Sequence, residues 1–326
     1  MPIMIPLLFC PHYPEPMISI GTHHLYYAIT GPQRAPHEPL VVIIPGSGDV
    51  ASSYTAVESL VAQFARIFLY DRSGLGLSER GPNRPVAATS ARELHSLLQV
   101  TKQLPPFLLV AHSYGGVIAR EYLHLYPNDV GGMVLLDTVT EKTFDYFPFP
   151  NPNITAVLGD LNIARVTGLR ADAKLSREQW RQRAIDIARG LATAQLEADG
   201  DACREMARSL EEKKQPDTQA MGDKPVSVVR CNGARDYERI YAAGVEVGNG
   251  TEAQQRAFRE LLDGWDLTAK MCCLEQLKLS SRTHYVHLPD CGHNVQLVRP
   301  DVVAEEVRWV ISQMQSTEFK GFEISL

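Results

Sequence analysis

The apolar positions of this 326-residue chain follow two alternating periods through its first half. One period is a short continuous run. Leu40 to Ile44 ends at Pro45-Gly46, Ile67 to Tyr70 ends at Asp71, and Phe107 to Val110 and Met133 to Leu136 continue the series. Runs of this length suit parallel strands buried on both faces. Ile18-Ser19-Ile20 and His24 to Ile29 read as an early strand pair around Gly21-Thr22. The other period is helical. Ala87, Ala91, Leu94 and Leu98 form one apolar stripe, and Val117 to Tyr126 continues as a helix. Strands alternating with helices predict a parallel α/β sheet with right-handed crossovers.

After Thr140 the alternation stops. Phe144 to Asn153 has the composition of a loop, and Ser176 to Lys214 is charged and helix-prone. Strand character resumes at Pro225 to Val229, a second helical insertion spans about Thr251 to Leu279, and His284 to Leu288 reads as a last strand. A final helix carries Val303, Val307, Val310 and Ile311 on its apolar face, with Pro300 near its start. The expected division is a core of residues 15–140 and 224–318, a helical lid at 141–223, and terminal extensions at 1–14 and 319–326. A lid placed at strand ends would shape a substrate pocket.

Composition narrows the classes. The net charge is −6, from 32 basic and 38 acidic residues, and no basic stripe points to nucleic acid. No apolar run is long enough to span a bilayer. Met1 to Cys10 is broken by Pro2 and Pro6 and lacks a basic n-region, so no signal peptide is expected. The ending Ile324-Ser325-Leu326 is not the peroxisomal tripeptide. Cysteines 10, 203, 231, 272, 273 and 291 show no metal spacing, so reduced thiols and a cytoplasmic location are expected. No phosphate loop or metal-ligand spacing appears, so no cofactor is expected. The aromatic group Phe144, Tyr146, Phe147 and Phe149 either lines an apolar pocket or packs under the lid.

The chemistry concentrates at Val110-Ala111-His112-Ser113-Tyr114-Gly115-Gly116. A serine between small residues at a strand-to-helix turn is a nucleophile elbow, although a serine there can also cap a helix. His293, in Asp290-Cys291-Gly292-His293-Asn294, is the candidate general base, because a serine hydroxyl needs a neutral imidazole to take its proton. His112 is expected to pack beneath the elbow.

Four features in order resemble the α/β-hydrolase superfamily: Pro45-Gly46-Ser47-Gly48, Asp71 to Ser78, the Ser113 elbow and Gly292-His293. The resemblance covers most of the chain and implies a mostly parallel eight-stranded sheet flanked by helices, with an inserted helical lid. Ala111 replaces the family's first elbow glycine, and Pro45-Gly46 replaces its usual His-Gly. The resemblance implies oxyanion donors at the N–H groups of Ser47 and Tyr114. It leaves two candidates for the acid that orients His293. Asp137 matches the branch whose acid follows the sixth strand, and is the one favoured. Asp236, in Gly233-Ala234-Arg235-Asp236, resembles the commoner placement. Asp71 to Ser78 is expected to be architectural, with Asp71 and Arg72 pairing beneath the oxyanion loop.

The expected activity is hydrolysis of an ester, thioester or lactone of a small molecule through an acyl-enzyme. A serine nucleophile separates the chain from epoxide hydrolases and dehalogenases of this fold, which use aspartate. Two alternatives stay open: a hydrolase-fold ligand receptor with vestigial turnover, and non-hydrolytic acyl transfer or cyclisation in biosynthesis. The sequence leaves substrate identity and oligomeric state open.

Overall fold

The central strands form because their apolar runs alternate between two buried faces. Val41, Ile43, Leu108, Val110, Val134 and Leu136 enter one apolar cluster, while Leu40, Val42, Leu109, Ala111, Met133 and Leu135 enter the other. The computed structural model describes residues 17–322 apart from Pro36, so Cys10, the extension expected at 1–14 and the last four residues lie outside it.

In chain order the first part holds β1 (Met17–Ser19), β2 (His24–Thr30), β3 (Leu40–Ile44), a 3-10 turn (Ala51–Tyr54), α1 (Thr55–Val61), β4 (Ile67–Tyr70), α2 (Ala87–Val100), β5 (Phe107–His112), α3 (Gly115–Leu125) and β6 (Val130–Leu136). The segment expected as a lid holds α4 (Thr143–Tyr146), α5 (Pro152–Leu158), α6 (Ile163–Val166), α7 (Leu169–Asp172), α8 (Arg177–Arg189), α9 (Leu191–Glu197) and α10 (Gly200–Lys213). The chain then forms β7 (Val226–Cys231), α11 (Gly233–Glu246), α12 (Glu252–Gln276), β8 (Thr283–Leu288), α13 (Val295–Val298) and α14 (Pro300–Phe322).

The eight-stranded sheet has the order β1-β2-β4-β3-β5-β6-β7-β8. β1 and β2 pair antiparallel, as do β2 and β4, and the other pairs are parallel. Residues of α2 and α3, including Leu94, Leu98, Val117 and Tyr122, cover one face. Residues of α1 and α14, including Val57, Val61, Val303 and Val307, cover the other. A third, smaller cluster joins Val157 of α5 to Ile240 of α11 and to Phe258 and Leu262 of α12. The helices between β7 and β8 therefore pack with those between β6 and β7, at the strand ends.

Two sequence expectations change locally. Phe144 to Asn153, read as a loop, contains α4 and the start of α5, where Asn151 accepts hydrogen bonds from the N–H groups of Asn153 and Ile154. α11 begins directly after β7, because Asn232 caps it through the N–H of Arg235.

Register positions the site. His112 pairs with Leu136, Leu136 with Val229, and Cys231 with Leu288. The strand ends therefore align, and the residues that follow them, Ser113 and Asp137, emerge side by side.

Candidate active site

Ser113 leaves β5 with φ of 52°, in the left-handed region that a β-carbon disfavours. Backbone bonds hold it there: its N–H donates to Leu136 O at 3.0 Å, and its carbonyl accepts from Gly116 N–H at 3.0 Å. The following glycines are sterically required. A side chain on Gly115 would strike the carbonyl oxygens of Ile44 and Pro45, and one on Gly116 would strike Thr138. Ala111, where the family has glycine, fits as a fully buried strand residue.

Asp137 follows β6 in the same left-handed conformation, with φ of 47°. Its Oδ2 lies 2.7 Å from Nδ1 of His293. Its Oδ1 accepts the Cys231 N–H at 3.0 Å. A carboxylate can only accept, so Nδ1 carries the proton and Nε2 is left as the basic nitrogen. Burial raises the Asp137 carboxyl, but the hydrogen bond and charge of His293 and the Cys231 N–H outweigh it, and the net shift is downward. Burial lowers the His293 imidazolium, but the bond and charge of Asp137 outweigh it, and the net shift is upward.

Asp236 also reaches His293, at a different atom. Its Oδ2 accepts the His293 backbone N–H at 3.0 Å, and its Oδ1 lies 3.3 Å from Arg235. Gly292 passes so close to this carboxylate that no side chain fits there. One aspartate thus meets the imidazole and the other holds the loop.

His112 lies beneath this loop. Its Nε2 donates to the His293 carbonyl at 2.9 Å, and the two rings are 4.7 Å apart. Burial, and then the neighbouring imidazole, push its pKa down to about 4, so it stays neutral.

The 45–48 loop runs beside Ser113: a β-carbon on Gly46 would lie 3.3 Å from Ser113 Cβ. Among the described residues, the N–H groups of Ser47 and Tyr114 donate to no protein acceptor. Arg72 does not pair with Asp71 as expected. It forms a buried ion pair with Glu197, 2.9 Å from Nη2 to Oε2, and also donates to the Pro45 and Gly46 carbonyls at 2.7 Å each. Asp71 instead accepts the N–H groups of Ala51 and Leu77, at 2.7 and 2.9 Å. A cavity of about 100 Å³ adjoins Tyr114, lined by apolar residues such as Val86, Val117 and Met206 and by the carboxylates of Glu121, Glu197 and Glu205.

A sequence model of the alpha/beta hydrolase family matches residues 41–306, which includes every residue of this arrangement. The chain belongs to the alpha/beta hydrolase family.

Individual relatives and solved structures are also similar over most of this chain. A Gibberella zeae protein named as an AB hydrolase superfamily protein is 27% identical over 316 residues, covering 92% of this chain and 96% of that one. A Hormonema carpetanum protein named as a probable transporter, efuK, is 33% identical over 312 residues. That match covers 94% of this chain but only 44% of the relative, so the chain spans less than half of that protein's length. Among solved structures, Est816, described as an N-acyl homoserine lactone degrading enzyme, has a TM-score of 0.52 at 17% identity, covering 90% of this chain and 99% of that one.

In this alpha/beta hydrolase, buried polar and charged residues beyond those legible in the sequence support the site. Glu197 ends a short helix, Leu191–Glu197, whose leucines are exposed while Thr193 and Glu197 are buried, the reverse of what the polarity of its residues suggests. Thr138 and Gln276 form a buried pair one residue beyond Asp137. Phe147 of the aromatic group packs on Trp265, with ring centroids 4.5 Å apart, while Tyr146 and Phe149 are exposed. The five described cysteines are all free thiols. No helix among the described residues is long and apolar enough to cross a membrane.

Proposed function

We propose that this chain is a serine hydrolase that cleaves an ester, thioester or lactone of a small molecule. The observation that carries the reading is the 2.7 Å contact between Asp137 Oδ2 and His293 Nδ1, made at the end of β6, the strand next to the one that Ser113 follows. It leaves Nε2 as the base and stabilises the imidazolium that forms when the base is used.

In this mechanism Ser113 Oγ bonds to the substrate carbonyl carbon while its proton passes to His293 Nε2. The carbonyl electron pair moves onto oxygen, and that oxyanion accepts from the Ser47 and Tyr114 N–H groups. The tetrahedral intermediate then collapses, breaking the bond to the leaving oxygen or sulfur, which takes the proton from His293. Water attacks the acyl-enzyme, His293 accepts its proton and returns it to Ser113 Oγ, and the acid departs. No residue needs an external cofactor in this sequence. The α4–α10 segment acts as a cap.

The test is turnover of a panel of p-nitrophenyl esters, acyl thioesters and lactones. At least one class is expected to be cleaved by the wild type and by none of a Ser113→Ala preparation. Absence of turnover across all three, with Ser113 still chemically reactive, would instead favour a ligand receptor.

A further inference from the structure

We propose that Glu197, which lies in the cap rather than in the sheet, is a positioning residue for the oxyanion hole. The inference rests on the serine-hydrolase reading. Its basis is the two peptide groups that flank Ser47. The Gly46 carbonyl accepts from Arg72 Nη2 at 2.7 Å, and the Gly48 N–H donates to Glu197 Oε2 at 2.8 Å. A trans peptide holds its C=O and N–H on opposite sides of one plane. Fixing the Gly46 oxygen therefore fixes the direction of the Ser47 N–H, and fixing the Gly48 N–H fixes the next plane.

Glu197 is the common anchor. Its Oε1 accepts from Arg72 Nε at 3.0 Å and its Oε2 from Arg72 Nη2 at 2.9 Å. The guanidinium is thereby clamped at one edge while its terminal nitrogens reach the Pro45 and Gly46 carbonyls. Arg72 and Glu197 are 2% and 5% exposed, so solvent does not loosen the clamp.

Packing keeps the anchor close. A β-carbon on Gly48 would lie 2.7 Å from Ala194 Cβ, and one on Gly190 would lie 2.7 Å from the Leu75 side chain. A side chain on Gly74 would strike Thr193. α9 is thus seated without clearance on both glycine loops, and this part of the cap is a brace rather than a swinging flap.

Two variants and a tetrahedral-adduct probe test the inference. Glu197→Gln removes the charge and leaves Arg72 buried without its partner, which threatens folding. The double variant Arg72→Leu/Glu197→Leu removes both charges, and buried pairs replaced by apolar residues commonly keep their stability. Both are assayed with p-nitrophenyl butyrate and with phenylboronic acid, which forms a tetrahedral adduct on a serine. The expected result for the double variant is a near-normal thermal midpoint and KM, a kcat lower by roughly 10- to 100-fold, and boronate affinity lower by a similar factor. Recovery of wild-type kcat along with stability, or a loss confined to KM with boronate affinity intact, overturns the inference alone. A wild type that neither turns over ester nor reacts at Ser113 overturns the hydrolase reading and this inference with it.

Discussion

Two aspartates converge on His293, and the atoms they meet assign different consequences to their loss. Asp137 Oδ2 meets the imidazole Nδ1, whereas Asp236 Oδ2 meets the backbone N–H. Asp137→Asn replaces an acceptor oxygen with a mixed amide and removes the charge that stabilises the imidazolium. Steady-state kinetics on p-nitrophenyl butyrate should show kcat/KM reduced by about 10³–10⁴-fold. Asp236→Asn keeps a carbonyl oxygen able to accept the same N–H, and its kcat/KM should stay within about tenfold of wild type on the same general scale of hydrogen-bond energies. The reverse order would assign the acid to Asp236. The pH profile supplies a second check. In the proposed mechanism neutral His293 is the active form, so activity should be lost as pH falls through its pKa. Because Asp137 holds that pKa above the ordinary histidine value, the acid limb of kcat/KM should lie above about pH 6.5. Asp137→Asn should move the limb downward, and an unchanged limb would mean that another group titrates there.

The elements that carry these residues are short loops pressed against one another. Gly115 allows α3 to approach the carbonyl ends of β3, since any side chain there meets the Ile44 and Pro45 oxygens. Gly115→Ala should lower stability by about 1–3 kcal/mol, as overpacking does, visible as a lower thermal midpoint and loss of activity. An unchanged midpoint would show that the elbow has slack. How much of this was legible follows from burial. The strands were readable because Val41, Ile43, Val110 and Leu136 belong to continuous runs buried on both faces. The tight turns at Ser113 and His293 are legible because close approach forces their glycine neighbours. The acid stayed ambiguous because both aspartates do reach His293, and only atomic geometry separates ring from backbone. α4 leaves no periodic signal in the sequence, because it is four residues long with no buried side chain. Glu197 is not legible because α9 exposes its leucines and buries its glutamate, and the partner Arg72 lies far away in sequence.

At the scale of the whole molecule, a continuous sheet carries helices inserted at two places, which meet in an apolar cluster of their own. Phe258 is fully buried in that cluster. Phe258→Ala should cost about 3–5 kcal/mol locally. Hydrogen exchange should then accelerate in α5, α11 and α12 while β3, β5 and β6 remain protected. Equal acceleration in the sheet would show that cap and core unfold as one unit. The sheet aligns its strand ends so that Ser113 and Asp137, the proposed nucleophile and acid, leave adjacent strands and His293, the proposed base, returns from the loop after β8. The most direct test of that account is reaction of the folded protein with a fluorophosphonate, followed by mass-spectrometric mapping of the adduct. A single adduct on Ser113, strongly slowed in His293→Ala, is the expected result. A folded protein that takes no adduct, or takes it on another residue, would contradict the account.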